Sequence, residues 1–68
     1  MPTVKEILKT WDNARPIVYI DNGETCKTFI DPEKLRTDSP DILGREVLES
    51  YSWMGKTIPL LKLYVGKE

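Results

Sequence analysis

Residues 17 to 30 read Ile-Val-Tyr-Ile-Asp-Asn-Gly-Glu-Thr-Cys-Lys-Thr-Phe-Ile. Two runs of β-branched and aromatic residues, Ile17 to Ile20 and Thr25 to Ile30, flank Asp21-Asn22-Gly23-Glu24. Such runs suit a pleated, half-buried surface, and Asn-Gly accepts the positive φ of a tight reversal, so the stretch predicts a β-hairpin. Two registers compete. A two-residue loop pairs Val18 with Lys27, whereas a three-residue loop with a bulge puts Val18, Ile20, Cys26, Thr28 and Ile30 on one face; the second is preferred.

Upstream, Thr3-Val4-Lys5-Glu6 has the spacing of a capping box, and Val4, Ile7, Leu8 and Trp11 follow at helical intervals on one apolar stripe. A helix is expected from there to about Trp11, because Arg15 precedes Pro16 and is pushed away from helical dihedrals. Downstream, Asp31-Pro32 and Ser39-Pro40 each place a capping residue before a proline, and Gly44 closes the second, which predicts two short helical turns. Glu46 to Trp53 carries Val47, Tyr51 and Trp53 at even spacing, and Thr57 to Val65 carries Leu61, Leu63 and Val65 likewise, so a second hairpin is expected around Met54-Gly55-Lys56. Pro59 donates no ladder hydrogen bond, which puts the last strand at an edge there or starts its regular pairing after the proline. The architecture expected is α+β: the N-terminal helix on a four-stranded antiparallel sheet of two hairpins, with residues 31 to 44 crossing between them.

Alternation then divides the strand residues between two faces. Val18, Ile20, Cys26, Ile30, Val47, Tyr51, Trp53, Leu61, Leu63 and Val65 would point to the helix, sending Tyr19, Phe29, Ile58, Leu60 and Tyr64 the other way. One amphipathic helix covers one face, and the second set is too apolar for open solvent. The preferred cover is the pair of short turns, through Leu35, Ile42 and Leu43. The alternative is a homodimer or another protein, which makes Tyr19, Phe29, Ile58, Leu60 and Tyr64 the candidate partner contacts.

With 68 residues, one domain spanning the chain is expected, with no room for a second domain or a buried cofactor cavity. Apolar residues at 40% and charged residues at 31% place it among chains that fold rather than stay disordered. Ten Lys and Arg nearly cancel eleven Asp and Glu, and both signs intermix, so the electrostatic footprint of a nucleic-acid binder is missing. The charged start carries no signal-peptide pattern and no apolar run approaches ~20 residues, so neither secretion nor a membrane is expected. The single cysteine, Cys26, allows no intramolecular disulfide, and a cytoplasmic setting follows.

The order helix, hairpin, Asp-Pro turn, Leu-Gly-Arg-Glu-Val and a terminal hydrophobic strand resembles short, uncharacterised accessory proteins of phages and mobile elements of Gram-positive bacteria. The resemblance rests on Thr3-Val4-Lys5-Glu6-Ile7-Leu8, on Ile17 to Gly23 and on Leu43-Gly44-Arg45-Glu46-Val47. It implies an accessory protein with no catalytic motif to carry over, and a structural corner at Arg45-Glu46.

Chemistry-bearing residues are few. Without histidine, Cys26 lacks the usual activating base and a zinc site lacks its usual ligands, so Cys26 is read as a buried structural residue. Asp31, Glu33, Asp38 and Asp41 lack calcium-loop spacing and are read as caps and first-turn charges. Glu46 and Glu49 would lie on opposite strand faces and cannot act as an acid and base pair. Trp11 and Trp53 are read as core rather than as platforms for nucleic-acid bases. No catalytic residue, cofactor site, metal site or small-molecule substrate is therefore assigned. The function expected is non-enzymatic protein interaction, with a small nucleic-acid-binding module as the alternative. A hydrolase would need polar groups converging in a cleft above ~300 Å³.

Overall fold

The computed structural model describes residues 2 to 66. The N-terminal helix α1 spans Val4–Trp11 and opens on the expected capping box. The Glu6 amide donates to Thr3 Oγ1 at 3.3 Å, and the Thr3 amide donates back to Glu6 Oε1 at 3.0 Å. These contacts satisfy two amides that a helix start leaves unpaired. The Ala14 and Arg15 amides close the helix end on the Trp11 carbonyl. Arg15 takes a left-handed φ of 48°, and Pro16, fully buried, leads into the first strand.

Four strands follow: β1 (Ile17–Asp21), β2 (Cys26–Phe29), β3 (Val47–Met54) and β4 (Pro59–Val65). Between β2 and β3 lie α2 (Pro32–Asp38) and a 3₁₀ turn (Pro40–Gly44). Asp31 caps α2 by accepting the Lys34 amide at 2.7 Å, with Pro32 in the first turn, as the sequence predicts.

The sheet is mixed rather than antiparallel throughout. Its order is β2-β1-β4-β3: both hairpins pair antiparallel, but β1 and β4 run parallel at the centre. Residues 31 to 44 carry the chain back across one face before β3, so β4 reaches β1 in the same direction. β4 is therefore central, and Pro59, as its first residue, sits where a proline is tolerated.

The first hairpin takes neither predicted register. Val18 pairs with Phe29 and Asp21 with Cys26, leaving a four-residue loop, Asn22 to Thr25. Asn22 Oδ1 accepts the Glu24 and Thr25 amides at 2.9 Å each, and Asp21 Oδ1 accepts the Gly23 amide at 2.8 Å. Side-chain oxygens that satisfy loop amides stabilise this longer turn. Gly23 has a φ of 91°, the left-handed value expected at this turn.

A one-residue change of register turns a whole strand over. Phe29 is accordingly buried toward the helices, at 7% exposure, while Cys26 is exposed. β3 departs in a similar way. A bulge between Val47 and Glu49 keeps Val47 in the core but sends Tyr51 and Trp53 to the opposite face, where even spacing alone had placed all three together.

The core is one layer between the sheet and the helical elements. Val4 and Leu8 of α1, Leu35 of α2 and Ile42 of the 3₁₀ turn pack against Val18, Ile20, Phe29, Val47, Leu61, Leu63 and Val65. Ile7, Trp11 and Leu43 border it. Leu35 and Ile42 thus cover the same face as α1 and not, as expected, the second one. No described helix is long and apolar enough to cross a membrane.

Candidate functional site: the uncovered sheet face

Because α1, α2 and the 3₁₀ turn all contribute to one core, no described element covers the reverse face of the sheet. Register assembles it in three rows across β2, β1, β4 and β3. Ile17, Leu60 and Trp53 form an apolar row, and Thr28, Tyr19, Lys62 and Tyr51 form the middle one. Cys26, Asp21, Tyr64 and Glu49 form the third. The face therefore grades from an apolar row to one that carries both carboxylates over about three pleats.

Its aromatic rings touch. Tyr19 and Trp53 reach over the intervening β4 to lie nearly parallel, with centroids 6.3 Å apart and an interplanar angle of 9°. Tyr64 and Tyr51 meet edge to face at 5.8 Å. Both geometries are favourable for ring quadrupoles, so the four rings hold one another in place without a layer above them. Trp53 remains 46% exposed and Tyr51 53%.

Lys62 stands in the middle, its ammonium 4.9 Å from the Tyr64 ring centre and 3.8 Å from Asp21 Oδ2. A hydrogen bond with Tyr64, reinforced by the Asp21 carboxylate, pushes its pKa above the ordinary lysine value. The Tyr51 hydroxyl donates to Glu49 Oε2 at 2.9 Å, and that hydrogen bond raises the phenol pKa. Among the described residues of this face, Asp21 and Glu49 against Lys62 leave one net negative charge.

Of the five candidate contacts read from the sequence, Tyr19, Leu60 and Tyr64 lie on the uncovered face. Ile58 lies in the β3–β4 turn, 44% exposed. Phe29 belongs to the core. Tyr51 and Trp53 were missed because a bulge is invisible to period-two counting, and Cys26 was misassigned to the core because the hairpin register was wrong.

Polar clefts lie elsewhere among the described residues. One, about 370 Å³, is bordered by Asn22, Lys27, Asp41 and Arg45 beneath the first hairpin loop. Another, about 480 Å³, lies between the end of α1 and the start of α2. Both exceed the size set above for a hydrolase, and the carboxylates of the second are engaged structurally. Asp12 accepts from Arg36 Nη2 at 2.6 Å, Glu33 lies 3.6 Å from Arg36 Nη1, and Asp31 caps α2. Among the described residues, no cluster of three or more acidic or cysteine side chains is placed to hold a metal.

No protein-family model, curated protein or solved structure matches this chain.

Proposed function

We propose that this chain is a non-enzymatic interaction protein that docks another protein on its uncovered sheet face. The observation that carries this reading is the one-sided placement of every helical element, which leaves Tyr19, Tyr51, Trp53, Leu60 and Tyr64 without a covering layer. Tyrosine and tryptophan bring large apolar area with a polar tip and few rotatable bonds, a composition enriched at protein interfaces. Four strands by five residues span roughly 300 Å² in projection, small against the ~800 Å² per partner of a standard interface, so the contact is transient. An exposed, unpaired Cys26 supports a reducing compartment such as the cytoplasm. An accessory role of the kind the sequence resemblance implies agrees with a binding module of this size.

The test is capture by immobilised wild type and by Tyr19→Ser/Tyr64→Ser, with the retained proteins identified by mass spectrometry. A protein held by the wild type and lost by a double variant that keeps its fold supports the reading. Unchanged capture, or a double variant that unfolds, refutes it.

A nucleic-acid reading has one observation in its favour: four aromatic rings share an open sheet face with a lysine, the kind of surface on which single-strand binders stack bases. The two carboxylates on the same face oppose phosphate, and Lys62 already faces Asp21. Titration against single- and double-stranded DNA at low salt should show no binding. A submicromolar affinity for single strands would transfer the site to this class.

A further inference from the structure

We propose that β3 pairs antiparallel with β3 of a second copy of this chain, about a two-fold axis at Ser52, joining two four-stranded sheets into one of eight strands. The inference concerns the sheet edge and does not rest on the docking role of the face.

The two edges of the sheet differ. β2 is four residues long, carries Lys27, runs at once into Asp31-Pro32 and has α2 packed against it, all devices that discourage edge pairing. β3 is eight residues long and contains no Lys, Arg or Pro. Its start is occupied by the chain itself: Thr3 bridges Glu46, and the Val47 amide donates to the Pro2 carbonyl at 2.9 Å. Past the bulge, no described strand lies beyond β3. Six large apolar side chains stand exposed among the described residues, and four of them, Leu48, Tyr51, Trp53 and Met54, are on this strand. The helical layer stops short of it, since Ser50 and Ser52 on the helix side are exposed while their partners Leu63 and Leu61 are buried.

The geometry also selects a register. The Gly55 amide donates to the Ile58 carbonyl at 3.0 Å, and hydrogen-bonded and non-bonded pairs alternate along an antiparallel ladder. Met54 opposite Pro59 is then a non-bonded pair, as it must be when proline has no N–H. Counting back, Trp53, Tyr51 and Glu49 direct their backbone groups to β4, and Met54, Ser52 and Ser50 direct theirs outward. A two-fold axis at Ser52 sets Ser52 against Ser52 and Ser50 against Met54, so all three outward residues of each copy find partners. Tyr51 then opposes Trp53 of the second copy in a non-bonded pair, where side chains come closest. Glu49, the one charge on β3, falls at opposite ends of the pairing in the two copies, so like charges do not meet.

Sedimentation equilibrium from micromolar to millimolar protein tests this, on the wild type and on Ser52→Pro. Ser52 uses no N–H within its own sheet, so proline there removes only outward pairing and leaves the fold intact. The wild type should dimerise reversibly, and Ser52→Pro should weaken dimerisation at least ~10-fold with an unchanged circular dichroism spectrum. Ser52→Lys sets two ammonium groups across the axis without altering the backbone; it should weaken the dimer similarly, and it alone decides the matter if the proline variant misfolds. A wild type that is monomeric at millimolar concentration overturns the proposal. So does a dimer that survives these variants, or one that survives them and is dissolved by Tyr19→Ser/Tyr64→Ser, which would put the second copy on the face.

Discussion

Replacing Phe29 with Ala separates the observed hairpin register from the one the sequence suggests. In the structure, Phe29 pairs with Val18 and points into the core beneath α2, with 7% of its surface exposed. Removing a buried ring of this kind costs about 3 kcal/mol, combining lost transfer energy with the cavity left behind. A domain of this size holds only ~3 to 5 kcal/mol in total, so most of the stability would go. At a urea dependence of about 1 kcal/mol per molar, the unfolding midpoint should fall by about 3 M. Tyr19, adjacent to Val18 on β1, faces the other way and is only partly buried, so Tyr19→Ala should cost less, about 1 kcal/mol, chiefly its stacking on Trp53. The assay is urea unfolding of both variants followed by circular dichroism. If Phe29→Ala costs no more than Tyr19→Ala, β2 is paired one residue out of step with β1 and Phe29 shares the outward face with Tyr19.

Thr3→Ala removes the side-chain acceptor of the Glu6 amide and should cost about 0.5 to 2 kcal/mol; an unchanged urea midpoint would mean that α1 does not start at Thr3. Gly55→Ala would bring a methyl within 2.7 Å of the Ile58 carbonyl oxygen, a backbone atom that cannot move aside, so the β3–β4 turn must distort, and a thermal midpoint equal to wild type would refute that close approach. Glu6 is held below the ordinary carboxylate range, first by the Thr3 backbone hydrogen bond and then by the Thr3 hydroxyl. A folded-state pKa below the unfolded one gives stability that is present above the unfolded value and lost as pH falls through the folded one, so acid should erode wild type more than Glu6→Gln. Parallel losses in the two proteins would show the capping carboxylate to be uncoupled from folding.

Much of the fold was legible because local chemistry announces it. Thr3 with Glu6, Asp31 before Pro32, and Asn22-Gly23 each fix a terminus or a reversal within a few residues, and each stands where the sequence predicts. The errors came from quantities that local chemistry leaves open. Loop length was misjudged because Asp21 and Asn22 spend their side chains on loop amides, and that one choice exchanged Phe29 with Cys26. The bulge beside Leu48 arises where β3 meets both β4 and the N-terminal segment, and it moved Tyr51 and Trp53 to the uncovered face. The parallel β1–β4 pairing requires residues 31 to 44 to carry the chain back to the end of the sheet where β2 begins, and Leu35 and Ile42 would suit a crossing over either face by composition. The uncovered face itself follows from that crossing, which is why the sequence could pose the question of its cover without answering it.

The most direct measurement of the docking role is amide chemical-shift mapping of the labelled chain during titration with the protein it captures. Shifts concentrated on Tyr19, Leu60, Lys62, Tyr64, Tyr51 and Trp53, with the exposed side of α1 at Lys5 and Lys9 silent, are the result predicted. Shifts centred on α1 or on the clefts beside Arg36 and Arg45, with the aromatic face unmoved, would contradict it.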